Sequence, residues 1–250
     1  MIAPGWRADL VVLRDLESCR VDSVLSAGRC VTDELFDTRK PIDPVGLDSV
    51  HAPMITSASL MVPASDREVP VLGVLPGKII TEHLSLRLPV DGNQTGIDLE
   101  NDVLKVSVIE RHGKNGNIAT GFVKGFGLKK GAIASTVGHD SHNICVVGAS
   151  EDDMAIAVNR LSDIKGGFVA VDGGQVTGEI ALPVAGLMSL EPFETVREQV
   201  HDLREAAYAL GATIEEPFLL LAFLPLPVIP HLKITDMGLV DVAKFEHVVW

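Results

Sequence analysis

The sequence predicts an α+β protein, with short N-terminal strands followed by a mixed α/β C-terminal part. Hydrophobic residues make up 46% of the chain and aromatic ones only 4%, so its core must be built from Val, Leu, Ile and Ala. Apolar runs of strand length recur along most of the chain, punctuated by Gly and Pro. Only two stretches carry a helical period, and no βαβ unit repeats as a doubly wound sheet would require. A chain of 250 residues is long enough for one large domain or two small ones, with a buried core.

The elements follow in order. Residues 8–31, "ADLVVLRDLESCRVDSVLSAGRCV", read as two or three short strands with a turn at Ala27-Gly28. So few strands need a partner layer to enclose a core. Residues 37–70 carry Pro41, Pro44, Pro53, Pro63 and Pro70 with little periodicity, which marks a linker or a wrapping segment. From residue 71 the pattern is regular. "VLGVLPGKIITEHLSLRLP" gives strands around Pro76-Gly77, and "DVLKVSVIER" places Val103, Lys105 and Ser107 on one face and Leu104, Val106 and Val108 on the other. "NIATGFVKGFG" and "GAIASTVG" make a further pair of strands. "SEDDMAIAVNRLSDI" is a helix capped by Ser150, with Asp152 and Asp153 in its first turn and Met154, Ala157, Val158 and Leu161 on its core face. "GGFVAVDGGQVTGEIALP" is a hairpin turning at Asp172-Gly173-Gly174. A second helix runs through "PFETVREQVHDLREAAYALG" and closes at Gly211. The tail from residue 224 reads as irregular, ending in a short strand.

Charge and cysteine content exclude several classes. Lys plus Arg number 21 against 34 Asp plus Glu, a formal charge of −13, which repels phosphate backbones and anionic membrane surfaces. A neutral small ligand, such as a free base, remains compatible. Cys19, Cys30 and Cys145 have no metal-like spacing and read as reduced thiols of a cytoplasmic protein. The most apolar stretch, "PFLLLAFLPLPVIP", is too short and too rich in proline to span a bilayer.

The densest polar cluster is His139, Asp140, Ser141, His142 and Asn143, after Gly138. In an extended chain these side chains would alternate between two faces, so they share one pocket only at a turn or strand end. His-x-x-His is a spacing open to a metal, but a site needs three or four ligands and none stands nearby. An Asp beside a His also suits acid–base work, and Asp, Ser and Asn suit a hydrogen-bonded turn. A second polar stretch, "ERHGKNGNIATGFVKGFGLKKG", matches no phosphate-binding motif, and its glycines suit tight hairpins.

Taken together, "IAPGWRADLVVL" with "VDSVLSAGRCV" resembles the stretch that follows the barrel in amidohydrolase-superfamily enzymes and completes a small β-sandwich. "RHGKNGNIATGFVKGFGLKKGAIASTVGHDSHNICVVG", "DDMAIAVNRL", "LPVAGLMS" and "FLPLPVIPHLKITDMGLVDV" resemble the C-terminal portion of bacterial adenine deaminases. The resemblance implies residues 1–36 as strands of an incomplete sandwich, 37–70 as the wrapping segment and 71–250 as the C-terminal domain, with the metal-bearing barrel absent. It implies deamination of adenine to hypoxanthine and ammonia, in purine salvage and adenine catabolism. The complete enzyme would carry manganese or iron. The chain holds no His-x-His and its match begins after the barrel's ligand positions, so no metal ligand and no catalytic residue is carried over. His139, Asp140, Ser141, His142 and Asn143 become the expected substrate-pocket loop. The expected partners are adenine and a barrel subunit or N-terminal half, within an oligomer. The alternatives are a non-catalytic docking or pocket-closing domain, or a purine-binding protein.

Overall fold

The apolar alternations of residues 69–181 become strands of one large sheet, buried on both faces at its centre. The computed structural model describes residues 2–37 and 42–249; Met1, Trp250 and residues 38–41 of the wrapping segment, Pro41 among them, lie outside the described residues. The described residues fall into two compact units, one up to Asp43 and one from Pro44.

The first unit is an antiparallel meander of β1 (Leu10–Leu13), β2 (Val21–Ser26) and β3 (Arg29–Cys30), followed by the short helix α1 (Asp33–Asp37). Ala27 and Gly28 both adopt positive φ, 50° and 78°, as a tight hairpin turn requires. The Asp9 carboxylate accepts the Ala27 N–H at 2.7 Å and steadies that turn. Val11, Val12 and Val21 are exposed.

The second unit opens with an irregular stretch whose Val50, Ile55, Leu60 and Val62 are buried, Leu60 closing a 3-10 turn over Ser57–Leu60. The strands β4 (Val69–Val74) and β5 (Thr81–Leu86) come next, then a small ribbon of β6 (Val90–Asp91) and β7 (Gln94–Thr95). They are followed by β8 (Val103–Ile109), β9 (Ile118–Lys124), β10 (Ala132–Ser135) and β11 (Ile144–Gly148). Helix α2 (Glu151–Asp163) leads to the hairpin of β12 (Gly167–Asp172) and β13 (Gln175–Ala181). Helices α3 (Phe193–Ala209) and α4 (Pro217–Phe223) precede β14 (Leu232–Thr235), β15 (Gly238–Asp241) and β16 (Glu246–His247), which form a sheet of their own. The large sheet has the order β13-β12-β10-β11-β8-β9-β4-β5, antiparallel except where β4 lies parallel to β9. The architecture is α+β, and the large sheet stays open.

Both faces of this sheet are covered. Leu104, Val106 and Val108 pack with Leu203, Ala207, Phe218, Leu221, Leu232 and Ile234 from α3, α4 and β14. On the other face Ile109, Ala134 and Val146 pack with Met154, Ala157, Val158 and Leu161, the predicted core face of α2. Burying a side chain of this size contributes about 1.5–3 kcal/mol, so these two layers supply most of the driving force. Ser150 caps α2 as its sequence implies, its Oγ accepting the Asp153 N–H at 3.2 Å. Asp153 is itself buried and accepts N–H groups from Gly173 and Gly174, tying α2 to the predicted hairpin turn.

The tail departs from expectation. It forms a three-stranded sheet instead of an irregular path, and the apolar run just before it forms α4, a third helix of the unit. Pro217 starts α4, where a missing N–H costs nothing, and the apolar run packs on the large sheet until Pro225 forbids continuation. No helix of the described residues is long and apolar enough to cross a membrane.

Lys233 of β14 is fully buried and donates to the carbonyls of Ile79 at 2.9 Å and Phe223 at 3.1 Å. Burial pushes its pKa from 10.5 down to about 8. Between those values the unfolded chain keeps the proton and the folded chain does not, so stability rises with pH, by at most about 1.4 kcal/mol per unit. Buried Cys145 acts in the opposite sense: burial raises its pKa, so the unfolded thiol ionises first above pH 9 and stability falls there. Urea unfolding is therefore expected to show stability climbing from pH 8 to pH 9 and flattening above it. Lys233→Met removes the climb, and Cys145→Ala extends it.

Candidate functional site

The polar cluster forms the connection between β10 and β11, and the structure turns its members in different directions. Gly138 and His142 close it: the His142 N–H donates to the Gly138 carbonyl at 2.8 Å, and the His142 Nδ1 accepts the Gly138 N–H at 3.4 Å. His142 adopts φ of 50°, a left-handed conformation unusual for a residue with a side chain. The His139 N–H donates to Ala222 at 3.0 Å, and its ring stacks on Phe223 with centroids 4.8 Å apart. The end of α4 thus carries one side of the loop. His139, Asp140 and Ser141 are exposed, His142 is half-buried and Asn143 is buried.

Asn143 points inward. Its Oδ1 accepts the Arg111 N–H at 3.3 Å, and its Nδ2 donates to Asp236 Oδ1 at 3.1 Å. The other oxygen of Asp236 accepts from Asn117 Nδ2 at 3.4 Å. Asn117 and Asp236 also line a cleft of about 470 Å³ with Thr120, Met237, Leu239 and Val248. His112 reaches the same loop, its Nε2 donating to the Ser141 carbonyl at 2.8 Å.

The neighbouring loop, residues 110–117, is folded around a carboxylate. Glu110 accepts backbone N–H groups from His112, Lys114, Asn115 and Gly116. Burial alone would raise its pKa, but those donors together hold it below the usual carboxylate range. The glycines therefore serve a hairpin, as their spacing implied: Gly113 and Gly116 take φ of 69° and 64°. The pKa of His142 lies below the usual imidazole value, first through burial and then through the charges of Arg111, His139 and His112, with Asp140 opposing. A neutral imidazole here can accept a hydrogen bond as well as donate one.

The cluster lacks the geometry of a metal centre. The His139 and His142 rings lie 6.5 Å apart, and His142 Nδ1 already holds the Gly138 N–H. Among the described residues, no three His, Cys, Asp or Glu side chains come together to hold a metal ion. The arrangement suits a polar wall instead: exposed imidazole, carboxylate and hydroxyl groups on a loop fixed from beneath. Arg111 and His112 belong to the second polar stretch of the sequence, but nothing in their spacing, or in that of Asp236, ties them to this loop.

Residues 78–246 match the family described as adenine deaminase C-terminal domain, and the chain belongs to that family. It is 72% identical over 245 residues to adenine deaminase 1 of Agrobacterium fabrum and to adenine deaminase 1 of Rhizobium johnstonii. It is 62% identical over 248 residues to the adenine deaminase of Brucella melitensis. These matches take 98–99% of this chain and 43% of each relative, so the chain spans less than half the length of the relatives it matches.

Proposed function

We propose that this chain is the C-terminal part of an adenine deaminase, whose reaction converts adenine and water to hypoxanthine and ammonia. The observation that carries the reading is the 72% identity, over nearly the whole chain, to proteins named adenine deaminase. In this reading the enzyme is cytoplasmic and acts in purine salvage and adenine catabolism. The amidohydrolase resemblance brings a manganese or iron centre that activates water when bound. The residues described do not fit that metal, so no step of the hydrolysis is assigned to them.

Their part is recognition. Adenine offers an amine donor beside ring-nitrogen acceptors. The Asp140 carboxylate suits the amine, while the imidazoles of His139 and His142 and the Ser141 hydroxyl suit either partner. Asn143, with its amide engaged inward, holds the other four in place. A second reading, a docking domain for a separate barrel subunit in an oligomer, draws on the exposed Val11, Val12 and Val21 of the first unit.

The test is a chimera in which this chain replaces its counterpart in the Agrobacterium fabrum relative. The chimera is expected to release ammonia from adenine. Replacing both His139 and His142 with Ala is expected to raise the KM for adenine about tenfold, about 1.4 kcal/mol of lost binding. An unchanged KM and kcat would remove the loop from the substrate site.

A further inference from the structure

We infer that Arg111 is the positioning residue for the loop at 138–143, an inference that rests on the adenine reading of that loop. Arg111 is only 1% exposed, and no ion pair with a carboxylate is found for it among the described residues. Each nitrogen of its guanidinium instead donates to the backbone of a different segment. Nη1 reaches the Ser49 carbonyl at 3.1 Å, Nη2 reaches Ala185 at 3.0 Å, and Nε grips the carbonyl of His142. Its own N–H holds Asn143 Oδ1, and its carbonyl accepts the His51 N–H at 2.7 Å.

Burying a cation is costly unless its donors are satisfied, and a neutral residue could fill this space at lower cost. What only arginine supplies is a rigid planar fork able to fix three carbonyls at once. The grip falls on His142, the residue whose backbone holds the left-handed conformation. It therefore sets the peptide on which His139, Asp140 and Ser141 depend for their direction. Gly186 shows how closely the site is drawn around the fork: a Cβ there would lie 2.8 Å from Nη1. Thr136, beside the loop, donates its hydroxyl to the Gly186 carbonyl at 2.6 Å and closes the same ring of contacts. Arg111 acts through the loop and touches no reacting atom.

The test uses the active chimera, measuring KM and kcat for adenine in Arg111→Met and Arg111→Lys. Misplacing a binding loop raises KM, whereas a loss of folded protein lowers kcat per mole and leaves KM unchanged. Arg111→Met is expected to raise KM about tenfold with kcat within about threefold. Arg111→Lys, which keeps the charge and can still reach one carbonyl, moves KM in the same direction by less, with the parent's circular dichroism. An unchanged KM in Arg111→Lys, with the fold intact, overturns the inference even if Arg111→Met does not fold. The variant lacking His139 and His142 separates the two readings. If it raises KM and the Arg111 variants do not, only the positioning role is lost; if it too leaves KM unchanged, the adenine reading of the loop fails with it.

Discussion

Replacing Gly167 with alanine is expected to cost about 4 kcal/mol or to abolish folding, the largest effect of any single methyl group in this chain. Gly167 opens β12 with φ of 141°, and a Cβ there would lie 1.8 Å from the Ile180 carbonyl. Ile180 belongs to β13, whose pairing with β12 runs through Phe168. The new atom can be accommodated only by pulling the hairpin apart. Gly167 also donates its N–H to the Thr136 hydroxyl at 2.8 Å and accepts the Thr136 N–H at 3.0 Å, so the displacement would reach the end of β10. Gly173 provides the control. It too has positive φ, 56°, but a Cβ there meets nothing within 4 Å. Gly173→Ala should therefore cost only the conformational penalty, about 1 kcal/mol. Urea denaturation of the two variants beside the parent measures the difference, and equal losses would refute the steric account.

The second large effect concerns the buried ammonium of Lys105. β8 is covered on both faces and Lys105 is only 1% exposed, and its Nζ pairs with Glu151 and donates to the Leu60 carbonyl at 3.2 Å. Removing the carboxylate strands a charge inside the protein, while removing the lysine takes the charge away with it. Glu151→Gln is expected to cost about 2–3 kcal/mol, less than for a fully enclosed pair because Glu151 keeps 27% of its side chain exposed. Lys105→Met should cost about 1 kcal/mol or less. The double variant should resemble Lys105→Met, giving a coupling of about 2–3 kcal/mol in the cycle. A Lys105→Met variant less stable than Glu151→Gln would show that the pair contributes net stability instead of satisfying a charge already buried.

These two sites show what the sequence conveys and what it withholds. The alternation of β8, the Ser150 cap and the turn at Asp172-Gly173-Gly174 are local patterns, set by neighbouring residues, and they appear in the structure where they were read. The two Gly-Gly pairs of "GGFVAVDGG" look alike in sequence. One makes an open turn, while the other is forced by a carbonyl on the neighbouring strand, which no local pattern reports. Helix α4 was missed because seven apolar residues between prolines have no polar face and so no period. Arg111 lies in the second polar stretch, just after a strand, and no local pattern reports that three distant segments converge on it. The polar loop was recognisable as a cluster, but the inward turn of Asn143 depends on Asp236, which lies 93 residues away.

In the proposed reading, the braced loop at 138–143 recognises adenine, and the metal chemistry belongs to other segments of the enzyme. The most direct test is ammonia release from adenine, with manganese added, by the 250-residue chain alone and by its chimera with the Agrobacterium fabrum relative. The account predicts no turnover by the chain alone and turnover by the chimera. Turnover by the chain alone would contradict it, because a hydrolytic centre would then have to lie among the residues to which only recognition is assigned.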